Sequence, residues 1–367
     1  MQIAFGSTLL DRDIRKVGID GIGYYCAELL NQFKSFPDLT TVPFSFGLQT
    51  SNCRAALLPN YPSYLLGALA NLKSYPVFTN ADVIHATDQL IPVVRKKPLI
   101  TTVMDVIPLS HPQFIRSNSR SLKVFLWKKL IQCSDRIITI SEFSKQEIVS
   151  YLNYPLEKID VTPLGVSDRY FDRIDNAIKK TVLAKFVIPP TFFLFIGSIQ
   201  PRKNLKRLLE AHANLPHALA MEFPVVIAGK LSWDDPATLY AIQQSIEKKR
   251  VIWLDYVNEQ DKLALLQSAC GLTFPSLYEG FGLPIIEAFA SSLPVLTSNC
   301  TAMPETAKDS AILIDPLDCD SIRNGLLECI QNEPLCKELK EAGLKRARSF
   351  TWKSTAEKTL ACYQQLI

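Results

Sequence analysis

FPSLYEGFGLPIIEAFA, residues 274 to 290, decides how the chain is read. An apolar run of strand character ends near Ser276, and Pro284 has the place favoured in the first turn of a helix, where its missing N–H costs nothing. Between them Gly280 and Gly282 permit backbone angles and close approach that side chains forbid. A strand that gives way to a helix through such a turn aims free N–H groups at one point, and the helix dipole adds positive potential there. The natural guest is a phosphate.

Phosphate does not explain the acids. Glu279 precedes the turn and Glu287 follows it eight residues later, early in the helix, so both can border one ligand. Carboxylates repel phosphate but accept hydrogen bonds from vicinal hydroxyls, and a molecule combining sugar hydroxyls with phosphate meets both demands. A nucleotide sugar fits. The plainer alternative, a tight turn with two solvated acids, accounts equally well for the glycines and the proline alone.

Working outward, this half of the chain alternates short apolar runs with helix-sized amphipathic intervals. TFFLFIGSI (191–199), PVVIAGK, VIWLDYV, GLTFPS, PVLTS and AILID read as strands. The first half repeats the pattern with QIAFG, DVIHA (82–86), LITTVMD (99–105), RIITIS (136–141) and IDVTPLG (159–165). Nearly continuous, β-branched runs of this kind suit parallel sheets covered on both faces. The expectation is α/β: two doubly wound, Rossmann-like domains, residues 1–170 and 185–350, divided in the polar stretch from Ser167 to Lys185. Ligands of such sheets bind beyond the carboxyl ends of the strands, which implies a cleft between facing domains.

Within FLFIGSIQPRKNLKRLLEA (193–211), Arg202 and Lys203 follow the first strand of the second half, with Asn204 at a helix start. A cation pair there can neutralise charge growing on a departing diphosphate. Lys206 and Arg207 read as the solvated start of the helix.

Bulk properties exclude several classes. The 367 residues are 47% hydrophobic and 21% charged, ordinary globular composition for two cores. A net charge of +4, from 40 basic and 36 acidic residues, is too balanced for nucleic acid to be the main partner. Nine cysteines without a C-x-x-C pair suggest reduced thiols and a cytoplasmic setting. The opening MQIAFGSTLLDRDIRK lacks the basic start and cleavage site of a signal peptide, and no run is long enough to span a membrane. Membrane contact, if made, is peripheral.

SLYEGFGLPIIEA, with GSIQPRKNLKRLLEA, VVIAGK, LDYV and TAMPETAKDSAILIDP, resembles the donor half of the retaining nucleotide-sugar glycosyltransferases of family four, which have the GT-B fold. GIDGIGYYCAELL, TTVMDVIPL and ITISEFSKQEI are similar to the family's first half, so the resemblance covers nearly the whole chain. It implies that residues 1–170 bind the acceptor, that 185–350 bind the donor, and that a last helix over 352–367 packs back on the first domain. It implies further that Glu279 contacts hydroxyls of the transferred sugar and Glu287 holds the ribose. Gly280, Phe281, Gly282 and Leu283 would line the sugar and phosphate site with backbone groups, Arg202 and Lys203 would bind the diphosphate, and Gly21 and Gly23 would bring a loop of the first domain near it. The base would lie by Gly229, Lys230, Tyr256 and Val257. Transfer in this family proceeds with retention, the leaving phosphate helping to deprotonate the acceptor, so leaving-group stabilisation is the main catalytic contribution expected. The phrasing PRKNLKRLLEA and DVIPL is similar to mannosyltransferases of surface polysaccharide assembly, which points to GDP-mannose ahead of a UDP-sugar as donor, and to a glycan or lipid-linked acceptor at the inner face of a membrane.

One departure concerns the acceptor side. Many relatives carry His where this chain has Met104, before Asp105, and Met can neither donate nor exchange a proton. His85, at another strand end facing the presumed cleft, is the substitute candidate, weighed against a packed structural histidine. His111, His212 and His217 carry no motif. The triplets Asp11-Arg12-Asp13 and Asp318-Cys319-Asp320 read as structural, the second as a helix cap, so no metal and no other cofactor is expected. FIRSNSRSLKVFLWKKLIQ (114–132) mixes basic and aromatic residues; a partly buried helix is the expectation, with anionic lipid as the alternative.

The sequence thus reads as a hexosyltransferase, guessed to move mannose. Its rivals are a nucleotide-sugar 2-epimerase of the same fold, which needs no acceptor, and a non-catalytic sugar-nucleotide-binding subunit.

Overall fold

The computed structural model describes residues 1–13, 21–47, 55–69, 75–94, 96–115, 120–233 and 235–367. They form two compact units, Met1–Gly165 with Trp352–Ile367, and Val166–Thr351. The division lies just ahead of the stretch from Ser167 to Lys185, and the expected end at 170 is corrected. Val166 bridges Thr351, and the turn after it is tied to the second unit by the Tyr170 hydroxyl, which donates to Glu259 at 2.9 Å, and by Arg169, 2.6 Å from the same carboxylate. Helix Asn176–Lys185 is anchored there too, through Lys185 and Asp261 at 2.6 Å.

In the first unit β1 (Gln2–Gly6), β2 (Thr40–Phe46), β3 (Ala56–Leu58), β4 (Val83–Ala86), β5 (Leu99–Thr102), β6 (Arg136–Thr139) and β7 (Ile159–Val161) form a parallel sheet in the order β3-β2-β1-β4-β5-β6-β7. In the second, β8 (Phe193–Ile196), β9 (Val225–Ala228), β10 (Val251–Asp255), β11 (Gly271–Phe274), β12 (Val295–Ser298) and β13 (Ile312–Ile314) form another, ordered β10-β9-β8-β11-β12-β13. Both orders reverse once, between β1 and β4 and between β8 and β11, and at such a switch the loops part to leave room for a ligand. Strands with every residue buried, such as FLFI and VVIA, need helices on both faces.

The sequence reading missed β2 and β3. TTVPFSF contains Pro43, which argues against an inner strand, but β3 pairs with β2 only from Phe44 onward, so the missing N–H of Pro43 faces no partner strand on that side. One helix spans Gly21–Phe33, and another spans Glu142–Leu152, capped by the Ser141 side chain, which accepts from Ser144 N at 3.0 Å.

The closing helix, Trp352–Gln364, packs on helix Gly21–Phe33 and on β6. A buried polar ladder holds it: the Tyr363 hydroxyl lies 2.7 Å from His85 Nδ1, His85 Nε2 lies 2.7 Å from Thr102 Oγ1, and the Tyr25 hydroxyl lies 3.1 Å from the same threonine.

Candidate functional site

At the switch in the second sheet two loops meet. β8 ends at Ile196 and leads through Gly197 to a single 3-10 turn, Pro201–Lys203, while β11 ends at Phe274 and leads to the Gly280–Gly282 turn. They are sewn together by the backbone, Leu277 N donating to Arg202 O at 2.7 Å, and by Asn204, whose Nδ2 donates to Pro275 O at 3.0 Å and Pro316 O at 2.7 Å. Asn204 has φ 58, a left-handed conformation that Asn tolerates better than most residues, so it turns the chain as well as pinning it.

The seam brings Arg202, Lys203 and Glu279 to one point. Lys203 Nζ lies 2.6 Å and Arg202 Nη1 2.9 Å from Glu279 Oε1, and Arg202 also donates to Tyr278 O at 3.1 Å. Lys203 Nζ sits 4.4 Å from the Phe274 ring centroid, where the ring face adds attraction. Burial pushes the Lys203 ammonium down from 10.5 to about 8, against the pull of Glu279 and with the help of Arg202. Burial works to raise the Glu279 carboxyl, but the Lys203 and Arg202 charges overrule it, and its pKa lies below the ordinary value.

Gly282, at φ 97, precedes helix Leu283–Ala290, and Pro284 lies in that helix's first turn. The Phe281 side chain is buried against Phe350, ring centroids 5.5 Å apart, so only its backbone can face a ligand, and its carbonyl already accepts from Thr306 Oγ1 at 2.7 Å. Glu287 is buried one turn into the helix and pairs with Lys262 at 2.8 Å. Lys262 was not singled out from sequence; in DKLALL it reads as the polar face of an amphipathic helix, and nothing local couples it to position 287. Thr301, whose Oγ1 accepts from Glu279 N at 3.3 Å, was missed for the same reason.

Gly229, Lys230, Tyr256 and Val257 stand at the carboxyl ends of β9 and β10. A Cβ on Gly229 would come within 1.9 Å of Gly197 O, so only glycine lets these two loops touch. Lys230 Nζ lies 5.0 Å from the half-exposed Tyr256 ring. Lys206 pairs with Glu210 at 3.7 Å, an ordinary surface contact.

In the first unit, Met104 and Asp105 line a pocket of about 80 Å³ at the other switch, with Ile22, Thr87, Asp88 and Gln89. Gly21 and Gly23 flank Ile22 in the first turn of their helix, while residues 18–20 of the GIDGIG motif, and residues 48–54 and 70–74, lie outside the described residues. His85, the substitute candidate, belongs to none of this, and the packed structural reading weighed against it is the one that holds. It is fully buried, both ring nitrogens are engaged in the ladder to Tyr363 and Thr102, and burial holds it neutral with a pKa of about 3. His212, hydrogen bonded to Phe223 O at 2.8 Å, is structural as well.

Asp11 is buried and accepts from the Ser7 and Ser45 hydroxyls, and Asp318 caps helix Cys319–Gln331 by accepting from Asp320 N at 2.8 Å. Both acids thus have structural work; Arg12 and Asp13 side chains lie outside the described set. Within the segment 114–132 lies the expected partly buried helix. On helix Arg120–Ile131, Leu122, Phe125 and Leu126 are 62%, 56% and 39% exposed, beside Lys123, Lys128 and Lys129, while Trp127 and Ile131 face the core.

A family described as Glycosyl transferases group 1 matches residues 181–346, and one described as Glycosyltransferase Family 4 matches 42–170. O-antigen chain mannosyltransferase B of Escherichia coli is 31% identical over 276 residues, 74% of this chain and 71% of that protein. The chain belongs to glycosyltransferase family four. This family four enzyme is also 27% identical over 269 residues, 72% of its length, to the serotype-specific mannosyltransferase WbdA of Escherichia coli, of which it spans 33%. The Anabaena protein Alr3699/HepE, solved in complex with UDP and glucose, superposes with a TM-score of 0.76 over 100% of both chains at 14% identity, and its likeness fixes the fold as GT-B. The epimerase and non-catalytic alternatives are not favoured by relatives that are transferases.

Proposed function

We propose that this glycosyltransferase moves mannose, with retention, from GDP-mannose to a glycan acceptor, and that the donor is held in the second unit by the residues gathered at the switch between β8 and β11. The observation that carries this reading is the buried cluster in which Arg202 and Lys203 converge on one oxygen of Glu279 in front of the Gly282 turn. Without donor, Glu279 balances the two cations. With donor, the diphosphate takes their charge, helped by the start of helix Leu283–Ala290, and Glu279 becomes free to accept from sugar hydroxyls. Glu287, with Lys262 beside it, accepts from the ribose.

As the glycosidic bond breaks, negative charge grows on the diphosphate. Two cations already aimed there stabilise that charge more in the transition state than in the ground state, which is what raises the rate. Their presence is also the ground for proposing catalysis without a metal: the charge that a divalent ion would balance has protein partners. The leaving phosphate accepts the acceptor proton, so the first unit has to place a hydroxyl and need not supply a base. Asp88 and Asp105, near Met104, are suited to accept from sugar hydroxyls there.

The mannose assignment is supported by two relatives whose names describe mannosyltransferases. A UDP-sugar is the competing donor, since a fold neighbour holds UDP. Titrating the protein with GDP-mannose and UDP-glucose, and then assaying release of GDP or UDP with a mannose-terminated oligosaccharide, decides between them. Heat and turnover with GDP-mannose alone support the reading; binding of neither removes it.

We also propose that helix Arg120–Ile131 rests on an anionic membrane surface at the cytoplasmic side, its exposed Leu122, Phe125 and Leu126 entering the interface and Lys123, Lys128 and Lys129 meeting the headgroups. Among the described residues no helix is long and apolar enough to cross a membrane. Sedimentation with phosphatidylglycerol vesicles should fall sharply in Phe125→Ser with Lys129→Ser; unchanged sedimentation removes this part.

A further inference from the structure

We infer that the second unit carries another ligand site, for a small phosphorylated molecule, at the amino ends of the strands, opposite the Lys203 cluster. A pocket of about 330 Å³ opens where Ala269 leads into β11 and Leu293 into β12, at the amino ends of two strands, the first of which feeds the Gly282 turn from its carboxyl end. That volume is within the range of small-molecule sites.

Its chemistry is cationic. Lys337, Lys340, Glu341 and Leu344 recur at helical spacing along one face of helix Glu333–Ala347, and Arg173 approaches from the loop before helix Asn176–Lys185. Neither Lys337 nor Lys340 makes an ion pair among the described residues, unlike the surface lysines 206 and 353, which pair along their own helices. Three cations facing one carboxylate leave two positive charges unbalanced, which suits a dianion such as a phosphomonoester. Arg173 Nη2 already donates to Ser292 Oγ at 3.2 Å, leaving the rest of its planar fork for a phosphate.

Ser291, also lining the pocket, is buried, and its hydroxyl finds no hydrogen-bond partner among the described residues. Buried hydroxyls are nearly always satisfied, and a ligand oxygen is the partner that the pocket would provide. Leu293 and Leu344 supply apolar wall for a carbon skeleton. The site shares no residue with the donor cluster, so the inference stands independently of the donor assignment.

The test is calorimetric titration of the full chain with glucose 6-phosphate, alongside Lys337→Ala/Lys340→Ala, Arg173→Gln and Lys203→Ala. The expected result is binding that Lys203→Ala leaves intact, that Lys337→Ala/Lys340→Ala weakens at least tenfold, and that Arg173→Gln weakens in the same direction. Arg173, Lys337 and Lys340 are exposed, so the pocket variants should fold, and circular dichroism checks that for them and for the buried Lys203→Ala. Absence of binding to the parent protein at millimolar ligand overturns the inference. So does binding that is lost in Lys203→Ala and kept in the pocket variants, because the phosphate would then be held at the donor cluster.

Discussion

Lys203 Nζ and Arg202 Nη1 close on the same oxygen of Glu279, at 2.6 and 2.9 Å, and neither cation comes from the segment that carries the acid. One side of the cluster hangs from β8 and the other from β11, so the fold's strand order assembles it. Removing Lys203 should remove the donor that acts most strongly on the leaving diphosphate. Lys203→Ala is expected to lower kcat by 10² to 10³-fold, about 2.7–4 kcal/mol, in a nucleotide-release assay. A loss confined to KM would mean uniform binding instead.

The same cluster predicts non-additive stability. Lys203→Met leaves a buried carboxylate with one partner, a change that costs about 3–5 kcal/mol when a buried pair is broken. Glu279→Gln added to Lys203→Met should recover part of that loss, because no lone charge then remains. Urea unfolding of both single variants and the double variant measures the coupling; strict additivity would contradict it.

The pH response follows from the two shifts. Lys203 falls from 10.5 to about 8 on folding, so the folded state disfavours its cation. That penalty is fully present below pH 8, and stability from this group rises as pH increases from about 8 toward 10.5. Glu279, depressed, contributes in the opposite sense: its share is present above the ordinary carboxylate value and is lost as pH falls through its folded pKa. Diphosphate needs Lys203 charged, so nucleotide affinity should fall above pH 8 and binding there should take up a proton. Titration in two buffers of different ionisation enthalpy reads the uptake directly.

His85 should matter for stability and not for transfer. Tyr363→Phe removes the partner of His85 Nδ1, at a cost of about 1–3 kcal/mol for a buried group left unsatisfied. kcat per folded molecule should stay unchanged. Because burial holds His85 near pKa 3, below its ordinary 6.5, the buried neutral ring also predicts stability lost as pH falls from about 6.5 toward 3.

Gly229→Ala should fail at the backbone. Its Cβ would meet Gly197 O at 1.9 Å, and separating two loops that carry the site costs about 1–3 kcal/mol by the usual penalty for overpacking. A lowered melting temperature together with weakened nucleotide binding is expected. Chelation with EDTA, by contrast, should leave transfer unchanged if the cations alone balance the diphosphate.

Much of this was legible in sequence because strands buried on both faces announce themselves: FLFI, VVIA and VLTS need no context to be read. β2 was not, since Pro43 masks a strand whose neighbour begins one residue later, and β3 is only Ala56–Leu58. The Glu279, Gly282 and Lys203 positions could be found because their chemistry is written in short contiguous motifs. Lys262 and Thr301 could not, because what matters about them is the carboxylate or amide they meet across the fold. His85 misled for the reverse reason: a strand end places a residue near a site, but pleating decides whether its side chain faces the ligand or the core. On helix Arg120–Ile131 the apolar and basic residues are interleaved with no polar face set apart, which is why the sequence favoured a partly buried helix over a lipid-facing one.

The most direct test of the central claim is calorimetric titration of GDP-mannose into the parent protein, Lys203→Ala and Glu287→Ala. The account predicts binding to the parent that both substitutions weaken at least tenfold in the folded proteins. Undiminished affinity in both variants would contradict the donor site at the switch between β8 and β11.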